Sequence, residues 1–195
     1  MLQDRIIGVF TFRKGVYEEV EKDVGFTQTA WILVAVVAFL AQLGSRAWLI
    51  QATGHGFGSY VTSVIGNTVA AIVGFAVAAF VIAWTGRTFF DATTDFNEMV
   101  RVLGLAYVWN IVSLLGIVGA ISVALSCVIA PVSLIGGILG IVAWFIAVKE
   151  ALDLDWTKTI GALILGLVAL IVVWTVIGLV LGVLGIAAVG FATAF

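Results

Sequence analysis

The groups with which this chain could do chemistry are few: eleven Asp and Glu, nine Lys and Arg, one His and one Cys in 195 residues. One histidine (His55) cannot build a multi-ligand metal site, and one cysteine (Cys127) cannot close an internal disulfide. The acids fall in three groups. Asp4, Glu18, Glu19, Glu21 and Asp23 lie near the start; Asp91, Asp95 and Glu98 follow; Glu150, Asp153 and Asp155 belong to "KEALDLDWTK", residues 149–158. Asp153 and Asp155, with Asp91 or Asp95, offer the oxygen ligands a divalent cation takes. Solvated loop acids with Arg87, Arg101, Lys149 and Lys158 as partners account for the same residues more simply. "GHGFG" (54–58) superficially resembles a phosphate loop, but no strand precedes it and no Lys-Ser/Thr follows, so it reads as a flexible turn. No catalytic residue, metal site or cofactor site stands out, and the chain is not expected to be an enzyme.

The elements that must position these charges are apolar. The chain is 63% hydrophobic and only 10% charged, against about 25% charged in a soluble domain. The class this dictates is a polytopic, all-α membrane protein. The opening "MLQDRIIGVFTFRKGVYEEVEKD" lacks the continuous apolar core and small-residue cleavage site of a signal peptide. A bilayer core about 30 Å thick needs roughly 20 apolar helical residues, and five runs meet that need: about 28–50, 60–84, 100–125, 130–148 and 159–183. The division expected is an amphipathic segment 1–27 followed by a five-helix membrane domain 28–195. No charge separates the third and fourth runs; their turn is placed near "SCVIAP", with Pro131 opening the fourth helix. The last apolar stretch runs on to Phe195, and a span to about 183 with a Gly-rich tail is expected.

Charge placement orients the bundle. With the N-terminus in the cytoplasm, Arg5, Arg13, Lys14, Lys22, Arg87, Arg101, Lys149 and Lys158 are all inside and only Arg46 is outside. That asymmetry follows the positive-inside rule. It predicts an integral membrane protein with its N-terminus in the cytoplasm and its C-terminus outside. Trp31, Trp84, Trp144 and Trp156 fall near the inner boundary, Trp48 and Tyr60 near the outer one, and Trp109 and Trp174 lie mid-span as packing residues.

Every acid is cytoplasmic in this reading, so no carboxylate lies at membrane depth, where a proton- or cation-coupled transporter needs one. The notable polar groups within the spans are Arg46, Asn67 and Asn110. Arg46 can snorkel outward. Asn67 is expected to bond Arg46 or a nearby backbone carbonyl, and Asn110 lies too deep to pair with Asn67 directly. These residues read as helix glue, each interhelical bond contributing about 0.6 kcal/mol. The competing reading is a small-solute or lipid permease with a path along Asn67, Asn110, Ser113 and Ser122. Small-xxx-small pairs (Ala70/Gly74/Ala78, Gly116/Ala120, Gly136/Gly140, Ala162/Gly166, Gly178/Gly182) predict close helix contacts. One unused pair would allow a homo-oligomer.

The N-terminal segment has its own periodicity. Leu2, Ile6, Val9 and Phe10, then Val16, Tyr17, Val20 and Val24, recur at helical spacing, with "RKG" (13–15) as the joint. Such helices either lie flat on the inner leaflet or pack beneath the protein's own loops. Asp155 is an N-cap candidate for the fifth helix, and "DFNE" (95–98) has capping-box spacing ahead of the third.

"RIIGVFTFRKGVYEEV", "RVLGLAYVWNIVSLLG" and "VKEALDLDWTKTIGAL", with five spans around them, resemble the Yip-domain family: Ypt/Rab-interacting membrane proteins and their prokaryotic relatives. The resemblance covers nearly the whole chain. It implies five spans and a cytoplasmic N-terminus, and it carries over no catalytic residue. Eukaryotic relatives act in membrane traffic by contacting small GTPases; their long soluble N-terminal region has no counterpart in this sequence, so a GTPase partner is not carried over, and the resemblance to the prokaryotic branch implies a prokaryotic plasma membrane. The prokaryotic branch often has a proline shortly after "RVLG"; "AYVWN" has none, which predicts a straighter third span. The function expected is a non-enzymatic scaffold or adaptor. Its docking face for a protein partner would be built from Arg87, Asp91, Asp95, Glu98, Arg101, Lys149, Glu150, Asp153, Asp155 and Lys158. Membrane lipids are the other expected partner. Nucleic acid is not expected, and the formal net charge is -2.

Overall fold

The computed structural model describes residues 1–47 and 57–169, together with 171, 172, 175 and 179. Among these the chain is helical with no strand. Two short helices come first, α1 (Leu2–Phe10) and α2 (Val16–Glu21), then the long α3 (Phe26–Arg46) and α4 (Phe57–Phe90). The third apolar run folds in three pieces: α5 (Phe96–Ala106), a 3-10 helix (Tyr107–Leu115) and the single turn α6 (Gly116–Gly119). Helix α7 (Val123–Leu152) and the shorter α8 (Trp156–Ala169) complete the described chain. Four stretches are long and apolar enough to cross a membrane: Phe26–Arg46, Phe57–Phe90, Phe96–Gly119 and Ala124–Leu152. Part of the expected fifth span, toward its end, Trp48, His55, Trp174 and the Gly178/Gly182 pair lie outside the described residues.

Helix α5 is the hub. Every residue from Met99 to Ala106 is buried, as befits a helix apolar almost all round. Its start is fixed by the capping box expected from "DFNE". Asp95 Oδ1 accepts from the Glu98 N–H at 2.7 Å, and Glu98 Oε2 accepts from the Asp95 N–H at 2.8 Å. Helix α3 runs parallel to this span. A Cβ on Gly104 would come within 2.9 Å of Ala30 Cβ, and at the other end Gly44 packs backbone to backbone against Ser113, Leu114 and Gly116.

The third span does not stay α-helical. From Ala30 to Gly44 is 14 steps of α-helix, about 21 Å. Gly104 to Gly116 is 12 steps, about 18 Å as α-helix but roughly 22 Å when nine of them rise 2.0 Å each. The tighter winding keeps the two helices in register at both contacts. The third span has no proline, yet it is not a regular α-helix.

Two boundaries differ from the sequence reading. The turn between the third and fourth spans lies at residues 120–122, and Pro131 sits inside α7. Ser122 supplies the cap that Pro131 was expected to make unnecessary: its Oγ accepts from the Leu125 N–H at 3.2 Å, and Ser126 Oγ donates to the Gly119 carbonyl at 2.6 Å. A hydroxyl that satisfies an orphan N–H starts a helix more firmly than a residue that merely lacks one. Helix α4 also runs six residues past the expected end at 84, and about 51 Å of helix carries Arg87 beyond the apolar zone.

The N-terminal helices pack against the bundle. Val9, Val16, Tyr17 and Val20 are buried in the same apolar core as Met99, Leu103 and Leu152. Gly15, at φ +78°, supplies the left-handed turn into α2. Phe10 and Phe12 close on Trp109, with ring centroids 4.8 and 5.7 Å away. Leu2, Ile7 and Val24 remain exposed. The α1–α2 pair therefore follows the second of the two placements considered, beneath the protein's own elements, for most of its apolar face.

Candidate functional site

The ten charged residues read as a docking face converge at one end of the bundle, but they are not equivalent. Arg101 is the correction. It is 4% exposed and points inward. Its Nε and Nη2 donate to the Glu21 carbonyl at 2.9 and 2.6 Å, and Nη1 donates to Thr27 Oγ1 at 3.2 Å. A guanidinium here satisfies a carbonyl at the C-terminal end of α2, where helix carbonyls are orphaned and the dipole favours a cation. Arg101 thus ties α2, the α3 entrance and α5 together, and it is not available to a partner.

Four acids also have structural work. Asp95 and Glu98 form the capping box. Asp91 (φ +58°) and Asp153 (φ +50°) hold left-handed conformations just after α4 and α7, a backbone state in which Asp is tolerated far better than bulky or β-branched residues. Asp155 sits directly before α8, and its carbonyl accepts the Thr159 N–H at 2.9 Å. Lys149 lies 3.5 Å from Glu150 and 5.6 Å from the Trp156 ring centroid. Arg87, Asp155 and Lys158 are exposed and make no ion pair among the described residues. The loops that carry these charges are joined by Thr94, which is buried and donates its hydroxyl to the Ala151 carbonyl.

Glu21 belongs to this rim and escaped the sequence reading. Burial, with Asp153 and Glu98 close by, pushes its carboxyl up to about 7, against the pull of Lys22 and Arg101. The signal was present: Glu21 lies four residues after Tyr17, at the edge of the buried face of α2. Burial likewise pushes the Tyr17 phenol well above its usual value. Among the described residues no group of three His, Cys, Asp or Glu comes together to hold a metal ion.

At the opposite end Arg46 finds the expected partner. Its Nη2 donates to Asn67 Oδ1 at 2.6 Å, and Asn67 Nδ2 donates to the Ser63 carbonyl at 2.8 Å. Tyr60 adds a bond from its hydroxyl to the Leu43 carbonyl at 2.8 Å. Asn110 is not part of this group. It bonds the carbonyl of Tyr107 at 3.0 Å and is exposed.

Asn110 instead faces a cleft between the 3-10 helix and α7. One cavity of about 390 Å³ is lined by Tyr107, Asn110, Ser113, Ser133 and Gly137, among others. A second of about 330 Å³ shares Ser113 and Ser133 and reaches Ser45 and Ser126. The winding explains the lining. Three residues per turn place Tyr107, Asn110 and Ser113 in one row, where an α-helix would splay them. Opposite, Ser126, Ala130, Ser133, Gly137, Gly140 and Trp144 repeat at alternating steps of four and three along α7, one face of a regular helix. That α7 pattern was legible in the sequence. The row on the third span was not, because its alignment depends on the 3-10 winding. Of the four residues of the permease reading, Asn110 and Ser113 line these two cavities and Asn67 and Ser122 do not.

The fold and these sites define an integral membrane protein: a bundle of apolar helices with a charged rim at one end. The family it falls in is shown by comparison. The model of the Yip1 domain family matches residues 7–178, and the chain belongs to that family. Comparison with curated proteins and with solved structures gives no match.

Proposed function

We propose that this protein is a non-enzymatic membrane adaptor of the Yip1 family that docks a protein partner on its charged rim. In this reading the rim faces the cytoplasm of a prokaryotic cell, α8 continues as a fifth span through about residue 183, and the C-terminus lies outside. The excess of basic residues at the rim supports that orientation. The observation that carries the proposal is the exposed set Arg87, Asp155 and Lys158, which makes no ion pair among the described residues. Trp84, Phe89 and Trp156 are exposed beside it. Mixed charge next to exposed aromatics is a composition suited to recognition, with the charges setting partner choice. Family membership supports protein contact in general terms.

The test is a triple charge reversal, Arg87→Glu, Asp155→Lys and Lys158→Glu, which spares Arg101 and the capping box of Asp95 and Glu98. Affinity purification after cross-linking in native membranes should recover the wild-type partner at least about tenfold more efficiently than the variant. An identical partner set for both chains, with the variant folded, overturns the proposal.

A further inference from the structure

At membrane depth an unpaired polar group is costly, and helices relieve the cost by bonding hydroxyls to the carbonyl four residues back. This chain does so repeatedly. Thr68 bonds the Val64 carbonyl at 2.8 Å, and Thr85 bonds the Val81 carbonyl at 2.9 Å. Ser113 and Ser133 break the pattern. Both line the two cavities of the cleft, and neither hydroxyl has a partner among the described residues. Asn110 spends one amide hydrogen on the Tyr107 carbonyl, and its Oδ1 has no donor there. Trp109 lines the same cavity, is 8% exposed, and its indole N–H has no acceptor. That nitrogen is fully occluded, which leaves three side chains, Asn110, Ser113 and Ser133, with unmatched atoms around one space.

We infer that the cleft between the 3-10 helix and α7 is a binding site for an uncharged glycerolipid, diacylglycerol in chemical class, entering from the bilayer. Three observations select this occupant. The lining is mostly apolar, with a few polar side chains and no charge, so nothing there offsets a phosphate. The unmatched set combines donors (the Ser113 and Ser133 hydroxyls) with acceptors (Asn110 Oδ1 and the same hydroxyls), which suits ester carbonyls and one free hydroxyl. The rim is open sideways, since Asn110, Gly137 and Ile141 are exposed, so a ligand dissolved in the bilayer reaches it without crossing water. A lipid without a phosphate also sits deeper than its charged counterparts, where Asn110 waits. The inference stands apart from the docking rim, and either can fail alone.

The experiment uses the full chain in phosphatidylcholine nanodiscs containing a photoreactive diacylglycerol or, separately, a phosphatidylglycerol with the same photoreactive acyl chain. Cross-linked peptides from 107–116 and 133–144 should be labelled at least about fivefold more by the diacylglycerol. Gly137 has open space where a Cβ would go, so Gly137→Leu can be accommodated at its Cβ, adds bulk to the cleft and should abolish the label. The pair Ser113→Ala and Ser133→Ala removes hydroxyls with no change of fold and should lower labelling about tenfold. Equal labelling by the two lipids, or labelling unaffected by both variants, overturns the inference. So does reaction of Ser133→Cys, in a Cys127→Ser background, with a membrane-impermeant thiol reagent at the rate of a water-exposed thiol, since the cleft would then be a water-filled path.

Discussion

The two ends of this bundle solve the same problem in opposite ways. At the charged rim most buried polar groups are matched, Arg101 to the Glu21 carbonyl, Thr94 to Ala151, Asp95 and Glu98 to each other's N–H, with the buried Tyr17 hydroxyl as the exception. At the far end the close contact is backbone on backbone at Gly44, Arg46 has only amide partners among the described residues, and the cleft beside them leaves Asn110 Oδ1 and the Ser113 and Ser133 hydroxyls unmatched there. The contrast between the two arginines shows what sets their worth. Arg101 is buried and makes three bonds to two elements, while Arg46 is half-buried and shares a neutral amide. The rim is a lock built from specific partners, and the far half is a packed slot with vacant hydrogen-bonding capacity.

Breaking the lock should have the largest effect. Arg101→Gln leaves the Glu21 carbonyl and Thr27 without their donors, and should cost about 2–3 kcal/mol in SDS-titration unfolding followed by circular dichroism. A loss below about 0.5 kcal/mol would place Arg101 among the rim's dispensable charges.

The Glu21 cluster sharpens the comparison through pH. Its carboxyl is raised from 4.5 to about 7 in the folded chain, so the folded state holds a proton that the unfolded state has already released. Stability from this group is full below about pH 4.5 and is lost as pH rises through 7. Glu21→Gln should therefore match wild type near pH 5 and exceed it at pH 8, by roughly 1 kcal/mol once solvent screening is allowed for. Thermal unfolding at the two pH values reads this directly, and parallel curves for both chains would contradict it.

The smallest effect belongs to the far end. Asn67→Leu removes the Arg46 partner and should cost about 0.6 kcal/mol, the mean for interhelical bonds in membranes. A cost above about 2 kcal/mol would mean that the far end is locked as firmly as the rim.

Much of this was legible from residue types. The capping box at Asp95, the two-helix start with its Gly15 joint and the Arg46–Asn67 bond all follow from local spacing and depth. Pro131 misled because it competed with a better cap nine residues earlier, and both signals look alike in an apolar run. Arg101 misled because burial depends on what packs over it, and α2 arrives from 80 residues away. The cleft was half visible: the small and polar face of α7 repeats in the sequence, while the row of Tyr107, Asn110 and Ser113 exists only once the third span winds as a 3-10 helix.

Hydropathy and charge fixed the class of this protein on their own, because the cost of burying charge in hydrocarbon is large enough to sort residues by type alone. Which polar groups are matched and which are left vacant was decided by tertiary packing. Matching depends on register between helices distant in sequence, and on ångström differences in helical rise that no residue type encodes.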